Sequence, residues 1–122
     1  MKALVIDDSN TIRRSAEVFL RQAGYEVVLA LDGFDALAKV NDHAPDIIFC
    51  DILMPKLDGY QTCMLIKNNK RFASTPIVML SSKDSVFDVA RGRIVGCADY
   101  LTKPFTKDQL IKSVKSYTQR MQ

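Results

Sequence analysis

Long apolar runs, blocks of like charge and closely spaced cysteines are all missing from this chain of 122 residues. No stretch approaches the roughly eighteen apolar residues of a membrane-spanning helix, so membrane insertion is not expected. The N-terminal apolar stretch reaches Asp7 and Asp8 too soon to be a signal peptide. We therefore expect a cytoplasmic protein, and the length predicts a single domain over residues 1–122.

Cysteine, histidine and basic residues are too few or too scattered to form a site of their own. Cys50, Cys63 and Cys97 show no C-x-x-C spacing, so we expect reduced, buried or half-buried thiols rather than disulfides or a zinc site. The net charge is only +3, with basic residues dispersed among acids. Direct nucleic-acid binding, which needs a concentrated basic patch, is not expected. His43 lies in a loop-like stretch and is predicted to be a surface residue.

Five short apolar stretches alternate with helix-like segments along the chain. Ile47 to Cys50 and Ile77 to Leu80 are continuously apolar, which is typical of strands covered on both faces in a parallel sheet. The alternation predicts an α/β fold with helices on both faces of that sheet. The predicted strands are Lys2 to Asp7, Tyr25 to Ala30, Asp46 to Cys50, Pro76 to Leu80 and Ala98 to Thr102.

Helix start and stop signals lie between these strands. Gly24 ends the first helix, whose apolar residues repeat at helical spacing. Thr106 and Gln109 form a capping box for the fifth helix. The residues predicted to be buried in that helix are Leu110, Val114, Tyr117 and Met121. The other predicted caps are Ser9 or Asn10, Asp32 and Asp58.

The fourth helix, predicted over roughly Ser85 to Val95, differs from the others. Gly92 lies within it and costs about 1 kcal/mol relative to alanine, and the β-branched Ile94 and Val95 follow. We therefore expect this helix to be the least stable of the five.

Three of the predicted strands end in charged side chains. Asp7 and Asp8 follow the first strand, Asp51 follows the third and Lys103 follows the fifth. In open α/β sheets, ligands bind beyond the carboxyl ends of the strands, so these side chains should converge on one pocket with room for a divalent metal. Each aspartate signal alone could be a helix cap or a turn residue. Together with the lysine, they indicate a phosphate-accepting switch.

Further motifs surround these charges. Asp51 begins the segment Asp-Ile-Leu-Met-Pro, which is followed by Asp58 and Gly59. The hydroxyl of Ser81 follows Leu80 at the end of the fourth strand, and Lys103 is followed by Pro-Phe. With these motifs the chain resembles, over its whole length, the receiver domain of bacterial two-component response regulators. The resemblance implies a flavodoxin-like, doubly wound fold with five parallel strands in the order 2-1-3-4-5.

The resemblance also implies a role for each site residue. Asp51 would accept a phosphoryl group from a histidine kinase, while Lys103 and Mg²⁺ neutralise charge on the transferring oxygens. The expected Mg²⁺ ligands are the carboxylates of Asp8 and Asp51 and the backbone carbonyl of Leu53, with Asp7 acting through water. The chain would modify only itself, so it is not expected to be an enzyme acting on other substrates.

The same resemblance predicts how phosphorylation is transmitted. The Ser81 hydroxyl would bind a phosphoryl oxygen, and Tyr100 would move inward into the space that this opens. The Lys103–Pro104 peptide bond is expected to be cis. The output surface would be the fourth helix, fifth strand and fifth helix. Leu53 and Lys83 flank the approach of water to the phosphorus and are expected to slow dephosphorylation.

A finer resemblance is to the chemotaxis-like, single-domain regulators of type IV pilus twitching motility, which act by contact with a downstream protein. The segments that carry it are Asp58 to Cys63, Ile66 to Asn69 and Ala90 to Gly96. Three alternatives stay open from the residues alone. One is a flavin-binding module of the same fold, and the second is a phosphatase with an aspartate nucleophile. The third is a receiver cut from a larger DNA-binding or enzymatic regulator.

Overall fold

Helices and strands alternate along the chain as predicted. The computed structural model describes residues 1–82 and 89–118. The strands are β1 (Lys2–Ile6), β2 (Glu26–Ala30), β3 (Ile47–Asp51), β4 (Ile77–Ser82) and β5 (Asp99–Lys103). The helices are α1 (Asn10–Gln22), α2 (Gly33–His43), α3 (Gly59–Asn68), α4 (Val89–Val95) and α5 (Lys107–Thr118), with a short 3₁₀ turn at Lys70–Phe72.

All five strands are parallel and form one sheet in the order β2-β1-β3-β4-β5. The doubly wound fold and the strand order are therefore confirmed. Strand bounds differ from the prediction by one or two residues. β3 continues to Asp51, β4 to Ser82 and β5 to Lys103, because the ladder persists: Asp51 pairs with Leu80, and Ser82 with Lys103. β1 instead ends at Ile6, one residue before Asp7.

Alternate residues of the strands face two separate layers of core. Because side chains in a strand point to opposite faces in turn, Ile48 and Cys50 enter one layer and Phe49 enters the other. The first layer packs against α2, α3 and α4 through Val40, Cys63, Ile66 and Val95. The second packs against α1 and α5 through Ala16, Leu20, Leu110 and Val114. This double covering explains the continuously apolar strands.

The predicted caps lie where the sequence places them. Ser9 accepts from the Ile12 N–H, Asp32 caps α2, and Asp58 with Gln61 forms a full capping box for α3. Thr106 and Gln109 exchange both bonds of the box predicted for α5. In that helix Leu110 and Val114 are buried, while Tyr117 is only half-buried. Met121 lies outside the described residues.

The cysteines and the histidine are placed as predicted. Cys50 and Cys63 are buried and Cys97 is half-buried, all as free thiols, while His43 is exposed. Of the predicted fourth helix, α4 accounts for Val89–Val95, and residues 85–88 lie outside the described part of the chain. Within the described ranges, the structure contains no helix of the length and apolar character that a membrane crossing requires.

Candidate functional site

Three carboxylates meet at the C-terminal edge of the sheet. Asp7 and Asp8 follow β1, Asp51 ends β3, and carboxylate oxygens from the three lie within 4.8 Å of one another. Asp7 is fully buried and Asp51 is 4% exposed, whereas Asp8 is exposed. Adjacent parallel strands present their carboxyl ends at the same edge, so residues far apart in sequence converge here as predicted.

Lys103 places an ammonium group between two of these acids. Its Nζ lies 3.1 Å from Asp7 Oδ2 and 3.0 Å from Asp51 Oδ1, and its side chain is only 15% exposed. Burial lowers the pKa of Lys103, but hydrogen bonding and the charges of Asp51 and Asp7 outweigh burial and leave the pKa raised. Lys103 is therefore a permanent cation, and the four side chains carry a net negative charge.

The donor set of the site fits Mg²⁺. That ion is hard, prefers oxygen ligands and keeps several waters. The three clustered carboxylates supply the oxygens, and exposed Asp8 leaves the cluster open to solvent. The cavity at this edge is lined by Asp8, Asp51, Ile52, Leu53, Leu80, Ser82 and Lys103. Leu53, whose carbonyl was predicted as a ligand, therefore lines the same cavity as Asp8 and Asp51.

The environment of Asp51 disfavours its charged form. Burial raises the pKa of Asp51 from 3.8 to about 6; the hydrogen bond from Lys103 offsets only part of this, and the charge of Asp7 adds to it. A carboxylate in this position gains when further positive charge binds beside it. The raised pKa of Asp51 thus agrees with a site that is completed by a cation.

This pKa predicts a pH dependence of stability when divalent ions are removed by a chelator. The folded chain holds the Asp51 proton more tightly than the unfolded chain, whose Asp51 pKa is near 3.8. The stability that this group contributes is therefore present below pH 3.8 and is lost as the pH rises through about 6. Asp51→Asn should accordingly raise the melting temperature at neutral pH by several degrees.

The difference in melting temperature between Asp51→Asn and wild type should shrink towards zero below pH 3.8. Thermal melts followed by circular dichroism measure this difference. Asp46→Asn serves as the control, because the Asp46 carboxylate accepts the Lys2 N–H at 2.8 Å. The asparagine oxygen can still accept this bond but without the negative charge that strengthens it, so Asp46→Asn should lower the melting temperature rather than raise it. A wild type as stable as Asp51→Asn at neutral pH would refute the proposed cost of the Asp51 charge.

Arg13 supports the acidic loop and was missed in the sequence. It is only 8% exposed, and its guanidinium donates to the Asp7 backbone carbonyl and to the Asn10 side chain. Asp7 is also fixed by its own carboxylate, which accepts the Ser9 N–H at 2.9 Å. The available signal was spacing: Arg13 shares one buried face of α1 with Ala16 and Leu20.

Gly59 allows the loop after β3 to fold back on Asp51. Its N–H donates to the Ile52 carbonyl at 2.8 Å. A Cβ at this position would lie 2.3 Å from the Asp51 carbonyl oxygen and 2.8 Å from Ile52 Cα. Only glycine permits this approach, which explains the Asp-Gly pair in the motif. Leu53, in the same loop, lines the cavity while 66% of its surface remains exposed.

Two adjacent serines at the end of β4 occupy different environments. Ser81 is 1% exposed, and its Oγ has no hydrogen-bond partner among the residues that the structure describes. Ser82, which the sequence reading did not select, lines the acidic cavity. Strand alternation is the signal that could have found it, because Ser82 and Leu80 share one face while Ser81 occupies the other. Lys83 lies outside the described residues.

Tyr100 and the Lys103–Pro104 bond complete the predicted set. Tyr100 is half-buried in β5, where it pairs with Met79 of β4. The Lys103–Pro104 peptide bond is cis, as expected. The structure therefore brings Asp7, Asp8, Asp51 and Lys103 into one site, and it places Ser81 and Tyr100 on the strands beside it.

Comparison with known proteins identifies the family. The family model described as "Response regulator receiver domain" matches residues 3–115. Protein PilG of Pseudomonas aeruginosa is 62% identical over 117 residues, covering 96% of this chain and 87% of PilG. The alkaline phosphatase synthesis transcriptional regulatory protein PhoP of Bacillus subtilis is 39% identical, with 98% of this chain covered but only 49% of PhoP.

A solved structure agrees with this family match. The chemotaxis protein CheY4 of Vibrio cholerae superposes with a TM-score of 0.90 at 34% identity, covering 95% of this chain and 97% of CheY4. The family match spans nearly the whole sequence. The matched family is neither a flavin-binding module nor a phosphatase, two of the alternatives that the residues alone left open. The chain therefore belongs to the response regulator receiver domain family.

Proposed function

We propose that this receiver domain is a phosphorylation-dependent switch in which Asp51 accepts a phosphoryl group from a histidine kinase. One observation carries the proposal: the Asp51 carboxylate is held 3.0 Å from the Lys103 ammonium, inside a cluster of three acids at a cavity mouth. A buried nucleophile beside a fixed cation and open metal ligands is suited to phosphoryl transfer.

Asp8, Asp51 and the Leu53 carbonyl would hold Mg²⁺, with Asp7 acting through water. When bound, Mg²⁺ supplies the charge that the cluster lacks, since the formal charges of three aspartates, Lys103 and the ion cancel. A carboxylate oxygen of Asp51 forms the new bond to phosphorus as the bond from phosphorus to the donor's imidazole nitrogen breaks. Lys103, already 3.0 Å from Asp51, stabilises the anionic oxygens of the transferring group.

Ser81 is proposed to sense the phosphoryl group. Its buried Oγ lacks a hydrogen-bond partner within the described chain, and leaving such a hydroxyl unpaired costs about 1–3 kcal/mol. Phosphorylation adds strong acceptor oxygens beside Asp51. A bond between Ser81 and one of these oxygens would recover that cost, and Tyr100 would move towards the vacated space.

We further propose that the chain signals by protein contact in the cytoplasm, in a chemotaxis-like pathway controlling pilus-based motility. The resemblance to twitching-motility regulators and the 62% identity with PilG support this pathway. A second candidate is a receiver that works within a larger transcriptional regulator. The relation to PhoP, half of whose length this chain spans, supports that candidate. The two candidate functions can be separated by testing whether the phosphorylated chain binds a protein partner when no DNA is present.

The test of the proposed chemistry uses a small acyl-phosphate donor, with intact-mass spectrometry as the readout. Wild-type chain with Mg²⁺ should gain the mass of one phosphoryl group, and a chelator should prevent the gain. The same sample should turn over no small phosphate ester, which separates a switch from a phosphatase. Absence of any mass gain with Mg²⁺ and excess donor would contradict the proposal.

We predict that the output surface comprises α4, β5 and α5. Ser81 and Tyr100 border this face, and α4 is a helix of seven residues with glycine inside it. Hydrogen exchange with and without beryllofluoride and Mg²⁺ should therefore change most across residues 84–100. Peptides from α2 serve as the internal reference, and changes confined to α1 and α2 would show that another face transmits the signal.

We also predict slow loss of the phosphoryl group. Hydrolysis needs a water in line with the phosphorus, and Leu53 lines the cavity with a side chain that cannot orient water. Combining Leu53→Asn with Lys83→Glu should therefore speed phosphate loss measured by intact mass over time. Each single variant is the control for the other. A double variant no faster than wild type would overturn the apolar-shielding explanation.

A further inference from the structure

A cluster of two hydroxyls and a thiol lies between α3, α4 and β5, apart from the acidic site. The Tyr100 hydroxyl hydrogen-bonds with the Tyr60 hydroxyl and with the Cys97 thiol. Burial and these two bonds raise the pKa of Tyr100, and burial also raises the pKa of Cys97. Tyr100 and Cys97 are therefore neutral at physiological pH, and the cluster is held by hydrogen bonds rather than by charge.

Gly92 of α4 packs directly against this cluster. A Cβ on Gly92 would lie 2.0 Å from the Tyr100 hydroxyl oxygen and 2.9 Å from Cys97 Sγ. The backbone of α4 therefore rests directly on the hydroxyl, with no room for any side chain at this position. The glycine that lowers the helix propensity of α4 is what lets Tyr100 occupy this place.

Tyr60 connects the cluster to the start of α3 and to α4. It is 4% exposed, and the Arg91 guanidinium of α4 lies 4.9 Å from its ring centroid. Arg91 also pairs with Asp58, the cap of α3, at 3.3 Å. A second link joins the same helices, since Cys63 Sγ donates to the Val95 carbonyl at 3.5 Å. Tyr60, one of the two partners of the Tyr100 hydroxyl, therefore also takes part in the contacts that fix α4 against α3.

We propose that Tyr60, Cys97 and Gly92 form a clasp that holds the Tyr100 hydroxyl in the resting state and couples its release to movement of α4. Tyr60 is then a positioning residue for the switch, a role that goes beyond the pairing of Ser81 with Tyr100. The inference rests on the proposed function in taking Tyr100 as the moving residue. Withdrawal of Tyr100 towards Ser81 removes the hydroxyl on which Gly92 rests, leaving α4 free to shift.

The clasp makes a resting-state prediction that needs no phosphorylation. The chain has four tyrosines, so 3-fluorotyrosine labelling gives four ¹⁹F resonances, assigned by single Tyr→Phe variants. Without Mg²⁺ or phosphoryl mimic, Tyr60→Phe and Gly92→Ala should move the Tyr100 resonance towards its position in the beryllofluoride-bound wild type. Tyr117→Phe is the matched control, because that hydroxyl bonds Asp99 at 2.7 Å outside the clasp, and it should leave the Tyr100 environment in place.

A second measurement separates positioning from general destabilisation. Tyr60→Phe should lower the beryllofluoride concentration for half-conversion by about two- to tenfold, the shift expected for loss of one neutral hydrogen bond. Cys97→Ala should act in the same direction, and it carries the test if Gly92→Ala does not fold. An unmoved Tyr100 resonance together with an unchanged midpoint in Tyr60→Phe would overturn the clasp. A wild-type Tyr100 resonance that does not respond to beryllofluoride would instead refute the proposed function. Displacement of the resting Tyr100 resonance by Tyr60→Phe, but not by Tyr117→Phe, would in that case still show that Tyr60 holds the hydroxyl.

Discussion

Asp51→Asn should abolish phosphoryl incorporation, the largest effect expected of any single substitution in this chain. The carboxylate oxygen is the nucleophile, and an amide at the same position is neutral and far less nucleophilic. The substitution changes little else in shape, and Lys103 keeps its contact with Asp7 at 3.1 Å. The variant should therefore fold while showing no mass gain with acyl-phosphate donor and Mg²⁺.

Asp46→Asn is the matched control for this experiment. Asp46 directly precedes β3 and Asp51 ends it, so the two acids lie at opposite ends of one strand and Asp46 is not part of the acidic cluster. Its labelling should equal that of wild type. Undiminished labelling of Asp51→Asn would show that another residue takes the phosphoryl group.

Lys103→Met should cause the second large effect, a loss of about 3–5 kcal/mol in the free energy of unfolding when divalent ions are chelated. Removing one partner of a buried ion pair leaves the other charge uncompensated, which is the costly case. Here two acids, Asp7 and Asp51, would lose the ammonium group that lies within 3.1 Å of each. Urea unfolding followed by circular dichroism measures the change.

Two further measurements identify the cause of that loss. Lys115→Met removes a lysine from the exposed surface of α5 and should change stability by less than about 0.5 kcal/mol. Acidification should narrow the gap between Lys103→Met and wild type, because protonation of Asp51 relieves the repulsion. A loss as small as that of Lys115→Met would mean that Lys103 does not neutralise these acids.

The fold and the acidic site could be predicted because their signals are local. Continuous apolar runs mark the doubly covered strands, and Ser9, Asp32 and Asp58 cap the helices through contacts within a few residues. Parallel topology then brings strand ends together regardless of their separation in the chain. For that reason the sequence alone predicts that Asp51 and Lys103 share one pocket.

The remainder depends on contacts between elements, which composition and spacing do not encode. Arg13 looks like an ordinary helix residue until its guanidinium is seen on the Asp7 carbonyl. Helix propensity marks Gly92 as a weak point of the fourth helix and gives no hint that Tyr100 lies beneath it. No sequence motif indicates that Tyr60 and Cys97 contact the Tyr100 hydroxyl. Ser82 is a partial exception, because strand alternation separates it from Ser81, but only the structure shows that it lines the acidic cavity.

The most direct test of the central claim is to locate the phosphoryl group. Sodium borohydride reduces an aspartyl phosphate to homoserine, which marks the modified residue permanently for peptide mass spectrometry. Wild-type chain treated with acyl-phosphate donor and Mg²⁺, then reduced and digested, should contain homoserine at position 51 and at no other aspartate. Homoserine at Asp7, Asp8 or any other acid, with Asp51 unmodified, would contradict the account.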